Sequence, residues 1–345
     1  MTKNISKILF LVKNPNCAYS RYRCRNIIES LGNSKKYSGS IGNEYESSAD
    51  IVVFGRQSLG LKNLYLQIRH AKKDHKIIVF DIDDKIFSYR DIPYIVRHDE
   101  ESPIFWFLYI LRIKYLLHVC DVTTSTNQFL ADKLFEVSNK PSFVIPNSLN
   151  TSQIEASAKN KKSEIFSIGY FSGSSTHTED LALITESLVK FLKKHNETKL
   201  FLINNINLPE ELKKYSSQII QKSEVDYIKL QDYYASVSVN LAPLVENDFT
   251  NCKSELKFFE AAIAETTTLA SPTFAFKNSI IDSKTGFLCT GDEWYDRLEY
   301  LYSHPEENRK IARAAKKYCL EHYYGEKILK TIEDVYDEIL KQCKK

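Results

Sequence analysis

The stretch NCKSELKFFEAAIAETTTLASP at 251–272 concentrates side chains that could work on a phosphorylated ligand. A helix starting near Ser254 places Lys253 at its mouth, with Lys257 and Glu260 one turn apart on a single face. Lysines at a helix start suit a phosphate or diphosphate, and an acid beside small residues suits the hydroxyls of a ribose. The plain alternative is a surface helix with an ordinary Lys–Glu pair. Phe258, Phe259, Ala261, Ala262 and Ile263 weigh against it, because they make much of the helix buried and an acid among them needs a specific partner.

Three other stretches carry candidate chemistry. SGSSTHTED at 172–180 follows an apolar run and precedes a helix, so Gly173 and the helix start could seat a diphosphate. Thr176 with Glu179 also matches a capping box that needs no ligand. FDIDDK at 80–85 gathers carboxylates at a strand end, where they could bind Mg²⁺, orient an acceptor hydroxyl, act as a base, or cap the next turn. It resembles the nucleophile motif of haloacid-dehalogenase-type phosphatases, with Gly291-Asp292 and Asp296 as the later acids, although Lys85 stands where that family has Thr or Val. SRYRCR at 20–25 sets Arg21, Arg23 and Arg25 at a helix start, against the helix dipole, which points to an anionic ligand over mere solvation. Arg56, after another strand, has a weaker claim of the same kind.

The elements that must position these groups alternate regularly. Strands are expected at 8–12, 51–54, 77–80, 121–125 and 142–145, with helices near 22–31, 63–71, 103–120 and 128–135 between them. The polar stretch 148–163 reads as a linker, set at 151–163. A second alternation follows, with a strand at 165–171, a helix at 180–195 and a strand at 199–203. A strand, helix and strand across 224–239 and the Glu260 helix lead to a strand at 268–270. Both halves predict α/β domains with mostly parallel sheets, at 1–150 and 164–320. Ligands then belong outside the carboxyl ends of the strands.

The bulk numbers narrow the classes. A net charge of +3 over 345 residues gives no basic field, so nucleic acid is excluded as a partner. Seven cysteines without a CxxC pair suggest free thiols in a reducing cytoplasm. The apolar run 8–12 is too short for a signal peptide and reads as the first strand. Segment 103–120 is interrupted by Arg112, Lys114 and His118, so it reads as a packing helix and not a span. The alternative is a helix lying on a membrane surface with Trp106 and Phe107 in lipid.

Taken in order, the pieces resemble the retaining glycosyltransferases of family 4, which have the two-domain GT-B fold. The matching residues are Tyr22-Arg23-Cys24-Arg25, FDIDD at 80–84, DVTTST at 121–126, VIPN at 144–147, IGYFSGS at 168–174 with His177, KSELKFFEAA at 253–262, and TGFL at 285–288 with Glu293-Trp294. The resemblance implies two Rossmann-like domains facing across a cleft, with a final helix in 321–345 packing back on the first. It implies transfer of a sugar, with retention, from a nucleotide-sugar donor to a glycan, glycolipid or glycoprotein acceptor, in bacterial surface polysaccharide or glycoconjugate synthesis.

On that resemblance no metal or other cofactor is expected. Lys253, Glu260 and His177 would be catalytic, and Gly173, Ser174, Ser254 and Lys257 would hold the donor. Arg21, Arg23, Asp83 and Asp84 would lie on the acceptor side. Glu260 matches the second acid of the family's EX7E motif, whereas Cys252 stands where the first acid belongs. The implied location is the cytoplasm, with peripheral contact at the inner face of the membrane. The alternatives are a Mg²⁺-dependent phosphatase using Asp81 and a non-catalytic GT-B-like partner subunit.

Overall fold

The computed structural model describes residues 5–56, 60–97, 101–159, 165–172, 178–204 and 206–343. The chain divides into two compact units. One comprises 1–148, 252–254 and 322–345; the other comprises 149–251 and 255–321. Each contains one six-stranded sheet.

In the first unit the strands are β1 (Ser6–Leu11), β2 (Tyr37–Gly42), β3 (Ile51–Gly55), β4 (Ile77–Asp81), β5 (Val122–Ser125) and β6 (Ser142–Val144). They pair in parallel in the order β2-β1-β3-β4-β5-β6. The continuous apolar runs of β3 and β4 are buried at every position, as parallel strands covered by helices on both faces require. β2 was not expected. Its sequence, YSGSIG, is half polar because it lies at the sheet edge, and its glycine permits close packing: a Cβ on Gly39 would meet the Ile28 side chain at 2.8 Å. The strand order reverses between β1 and β3, which opens a crevice at their carboxyl ends. Gly55 ends β3 there, and the Tyr19 ring leaves no room for a Cβ, which would lie 2.6 Å from it.

The core of this unit joins Ile8, Phe10, Ile51, Val53 and Val79 to Ile328, Ile332, Tyr336 and Ile339 of the last helix, Glu326–Cys343. These four positions recur at helical spacing, so one stripe of the helix is apolar and buried. The polar side of the same helix is tied down by Asp337, which accepts from Tyr37 Oη at 2.6 Å and Lys36 Nζ at 2.7 Å.

In the second unit the strands are β7 (Ser167–Phe171), β8 (Lys199–Ile203), β9 (Ile219–Lys222), β10 (Val239–Ala242), β11 (Thr267–Ala270) and β12 (Phe287–Leu288). They are parallel, in the order β12-β11-β10-β7-β8-β9, and the order reverses between β7 and β10. Ile168, Tyr170, Leu188, Phe191, Leu200, Leu202, Leu241 and Leu269 fill one side of this sheet.

Two expectations need correcting. The stretch expected as a linker contains a helix, Thr151–Ala158. Its start is closed reciprocally: Asn150 Oδ1 accepts from Gln153 N at 2.8 Å, and Gln153 Oε1 accepts from Asn150 N at 3.4 Å. Capping of this kind stabilises a helix that has no apolar periodicity to announce it. The first strand expected inside 224–239 lies earlier, as β9; that window holds the helix Tyr227–Ser236 and the start of β10. Segment 103–120 is the helix Pro103–Val119, with Ser102 as its cap, and among the described residues no helix is long and apolar enough to cross a membrane.

Candidate functional site

The first unit presents two acid–arginine clusters at the carboxyl ends of β3, β4 and β5. Arg23 has no exposed surface. Its Nη2 and Nε reach Asp81 Oδ2 and Oδ1 at 2.6 and 3.1 Å, a bidentate pair. Its remaining donors go to the carbonyls of Ile145 and Ser125 and to Asn147 Oδ1. Asp81, only 2% exposed, also accepts from Tyr19 Oη and Thr124 Oγ1, both at 2.7 Å.

This closed network corrects two expectations. Arg23 is spent inside the unit and cannot grip an acceptor, and Asp81 has no open oxygen with which to act as a phosphatase nucleophile. What Arg23 does hold is a peptide segment. Asn147, fixed by Arg23, donates from Nδ2 to Ser254 Oγ at 3.0 Å. Asn127 donates to the carbonyls of Lys253 and Cys252 at 3.0 and 3.2 Å, while its own Oδ1 caps the helix Gln128–Ser138. The tripeptide 252–254 is thus anchored by two asparagines of the first unit, although sequence reasoning assigned it to the second domain. Cys252, where an acid was expected, is a fully buried thiol.

The second cluster is more open. Arg56 Nε lies 2.7 Å from Asp83 Oδ1, close but not aligned for a hydrogen bond, and its Nη1 donates to Asp84 Oδ2 at 2.8 Å. Roughly a fifth of each of these side chains remains exposed. Tyr109 Oη donates to the Arg56 carbonyl at 2.9 Å, and the guanidinium lies 5.7 Å from the centre of the Tyr19 ring. Burial pushes the Asp83 carboxyl up to about 6, even though the Arg56 charge pulls the other way. Arg21 is partly exposed beside the Tyr22 ring. Arg56, the weaker candidate in sequence, is thus the arginine that faces Asp83 and Asp84.

In the second unit the helix Leu256–Ile263 begins at the carboxyl side of β10 and buries Phe258 through Ile263. Glu260 is 7% exposed. Its Oε1 accepts from Gln153 Nε2 at 3.3 Å and its Oε2 from Tyr234 Oη at 3.4 Å, so the carboxylate is fixed by two neighbouring helices. Lys257 places its ammonium 4.9 Å from the centre of the Tyr170 ring, a cation–π contact, and its carbonyl accepts from Asn240 Nδ2 at 3.0 Å. The helix thus offers a cation and an anion one turn apart, near the reversal of the sheet.

Nearby backbone is also fixed: Asn204 Nδ2 donates to the Ser172 carbonyl at the end of β7, and Asp180 Oδ1 accepts from Val245 N after β10. Glu255 is buried, and its charge adds to the upward pKa shift that burial imposes on the Tyr318 and Cys319 side chains. Gly173, Ser174 and His177 lie outside the described residues. Sequence reasoning missed Gln153, Tyr234, Asn127 and Asn147. Only Asn147 carried a signal, as part of the VIPN motif.

Residues 186–334 match the model of a family described as glycosyl transferase-like. The fold is shared with HepE of Anabaena, solved in complex with UDP, at a TM-score of 0.62 and 11% identity, covering 98% of this chain and 100% of that one. A glycosyltransferase from Rickettsia africae gives a TM-score of 0.66 at 14% identity over 98% and 99% of the two chains. Sucrose-phosphate synthase of Thermosynechococcus elongatus gives 0.64 at 12% identity over 98% and 100%. No curated protein matches in sequence. The fold class expected from the sequence, GT-B, holds.

Proposed function

We propose that this chain, a glycosyltransferase of the GT-B fold, moves a sugar from a nucleoside-diphosphate donor to a hydroxyl of a glycan, glycolipid or glycoprotein, with retention at the anomeric carbon. The observation that carries the reading is the Lys257–Glu260 pair, set on a buried helix and held by Tyr170, Gln153 and Tyr234. A preorganised carboxylate suits two adjacent ribose hydroxyls. An ammonium one turn toward the helix start suits the diphosphate, whose negative charge grows as the bond to the anomeric carbon breaks. On the sequence resemblance, Lys253, Ser254, Gly173, Ser174 and His177 are further donor-side candidates in this reading.

Lysine and helix-end charges can stabilise a leaving diphosphate, so the reaction as proposed uses no metal. Asp83 and Asp84, with Arg56 and Arg21, are the acceptor side. A carboxyl held near the middle of the pH range can accept a hydrogen bond from an incoming hydroxyl. HepE structures hold UDP, UDP with glucose, and UDP-glucose, which makes uridine donors the first to try. The seven free thiols suit a reducing cytoplasm, where a transferase building surface polysaccharide or glycoconjugate precursors would meet its donor.

The reading is tested by thermal shift with UDP-, GDP-, dTDP- and CMP-sugars, followed by turnover with the one that binds. The expected result is a rise in Tm of several degrees with one nucleotide class. No shift with any of them contradicts the donor site. A second reading, a non-catalytic partner subunit, is favoured by buried Cys252 in place of an acid; it expects no turnover and copurification with another transferase.

A further inference from the structure

A cavity of about 850 Å³ opens in the second unit at the amino ends of β7 and β10, where Phe166 and Ser238 line it. That is the size of a small-molecule site. It lies at the opposite edge of the sheet from Lys257, whose helix begins at the carboxyl side of β10. Glu265, just past the end of that helix, also lines the cavity. Its φ of +54° is the left-handed conformation that glycine adopts without strain. The turn is closed by Glu265 N, which donates to the Ala262 carbonyl at 2.9 Å, and by Thr266 N, which donates to that of Ala261 at 3.0 Å. A glutamate held there against strain points to a use for its side chain.

One part of the wall is apolar and preformed. The Tyr302 ring lies 5.3 Å from the Phe166 ring and 3.9 Å from the His195 ring. Its hydroxyl donates to Glu197 and so holds that carboxyl below its usual range. Leu301, Pro305 and Ala312 extend this wall. Asn308, also lining the cavity, is fixed by Thr267 Oγ1 at 2.5 Å and by the Ser238 carbonyl at 3.3 Å. The helix Pro305–Tyr323 adds Arg309 and Arg313, one turn apart on one side. Neither guanidinium is tightly bound. Arg309 Nη2 pairs at 2.9 Å with Glu306, a side chain 82% exposed, and such surface pairs are weak. Arg313 Nε stays 3.9 Å from Glu265 Oε2, beyond hydrogen-bond reach, while Lys316 Nζ donates to Oε1 at 2.9 Å.

We propose that this cavity binds a small phosphate monoester whose organic part carries a flat ring, with the phosphate between Arg309 and Arg313 and the ring against Tyr302 and Phe166. Two guanidinium forks a turn apart match a dianion with three acceptor oxygens, whereas a carboxylate fills one fork. The aromatic wall supplies contact area at little ordering cost, because its rings are already fixed by one another. Glu197 and Glu265 are answered by Tyr302 and Lys316, which leaves the arginine charge to the phosphate. The site is separate from the Lys257–Glu260 pair and does not rest on the transfer reaction.

The full chain is tested by ligand-observed NMR titration with phenyl phosphate, adenosine monophosphate, inorganic phosphate and benzyl alcohol, with the best-binding nucleotide-sugar present to fill the donor site. Phenyl phosphate should bind about tenfold tighter than inorganic phosphate or benzyl alcohol, each of which fills half of the site. Tighter binding of adenosine monophosphate than of phenyl phosphate supports a nucleotide as the ligand, and the reverse supports a simpler aryl phosphate. Arg309→Gln/Arg313→Gln should weaken both esters about tenfold while keeping its Tm and its affinity for benzyl alcohol. Ala312→Phe, which fills the ring side, should weaken benzyl alcohol as well. If no nucleotide-sugar binds, the titrations run without one, and the loss in the arginine variant still assigns the cavity. The proposal is overturned if neither ester binds the wild type saturably, if inorganic phosphate binds as tightly as phenyl phosphate, or if the arginine variant binds the esters as the wild type does.

Discussion

Asp81 and Asp83 leave the end of β4 two residues apart, and each faces an arginine, Arg23 for the first and Arg56 for the second. Around Asp81 every neighbour donates: a bidentate guanidinium, a phenol and a threonine hydroxyl, with almost no surface left to water. Around Asp83 the arginine is shared with Asp84 and poorly aligned, and burial outweighs its charge, so the carboxyl rises to about 6. The same pair of residue types thus makes a clasp in one place and a reactive edge in the other. What separates them is how many donors reach the carboxylate, not how near the positive charge lies.

The largest expected effect lies on the clasp. Arg23→Met should cost about 3–5 kcal/mol of stability in denaturant unfolding, because it leaves a buried carboxylate unpaired. Tyr19→Phe, which keeps the ring and removes one donor to Asp81, should cost about 1–3 kcal/mol. If Arg23→Met unfolds like the wild type and loses only turnover, the two clusters have been assigned the wrong way round.

The smaller effect lies on the open cluster, and it depends on pH. An acid whose folded pKa is raised above its unfolded value of about 3.9 holds more protons folded than unfolded between those values. Stability from Asp83 therefore falls as pH rises from about 4 to about 6, and the loss is complete above that window. Asp83→Asn should flatten this slope in the Tm-versus-pH curve while leaving the fold intact. A wild-type-like slope in the variant would mean that Asp83 is not the group titrating there.

Much of this fold was legible because parallel strands are apolar on both faces: the runs at 51–54 and 77–80 could hardly be anything else. The edge strand β2 was not legible, since its residues satisfy a sheet edge and not a core. The helix at 151–158 was not legible either, since amide caps define its start. The burial of Glu260 could be read from the Phe and Ala residues beside it. Its partners Gln153 and Tyr234 could not, because they come from helices distant in sequence. The three arginines at 21–25 look equivalent in sequence. Helical spacing nonetheless separates them, since positions i and i+4 share a face and i+2 points the other way, so Arg23 turns inward and Arg21 and Arg25 stay outside.

The donor site is tested most directly by calorimetric titration of the best-binding nucleotide-sugar into the wild type and into Glu260→Ala, with unfolding curves measured in parallel. Loss of charge-assisted hydrogen bonds to a ribose should weaken binding roughly tenfold to a hundredfold, corresponding to about 1.5–3 kcal/mol, while the variant stays folded. Equal affinity in the folded variant would contradict the assignment of Glu260 and, with it, the donor site.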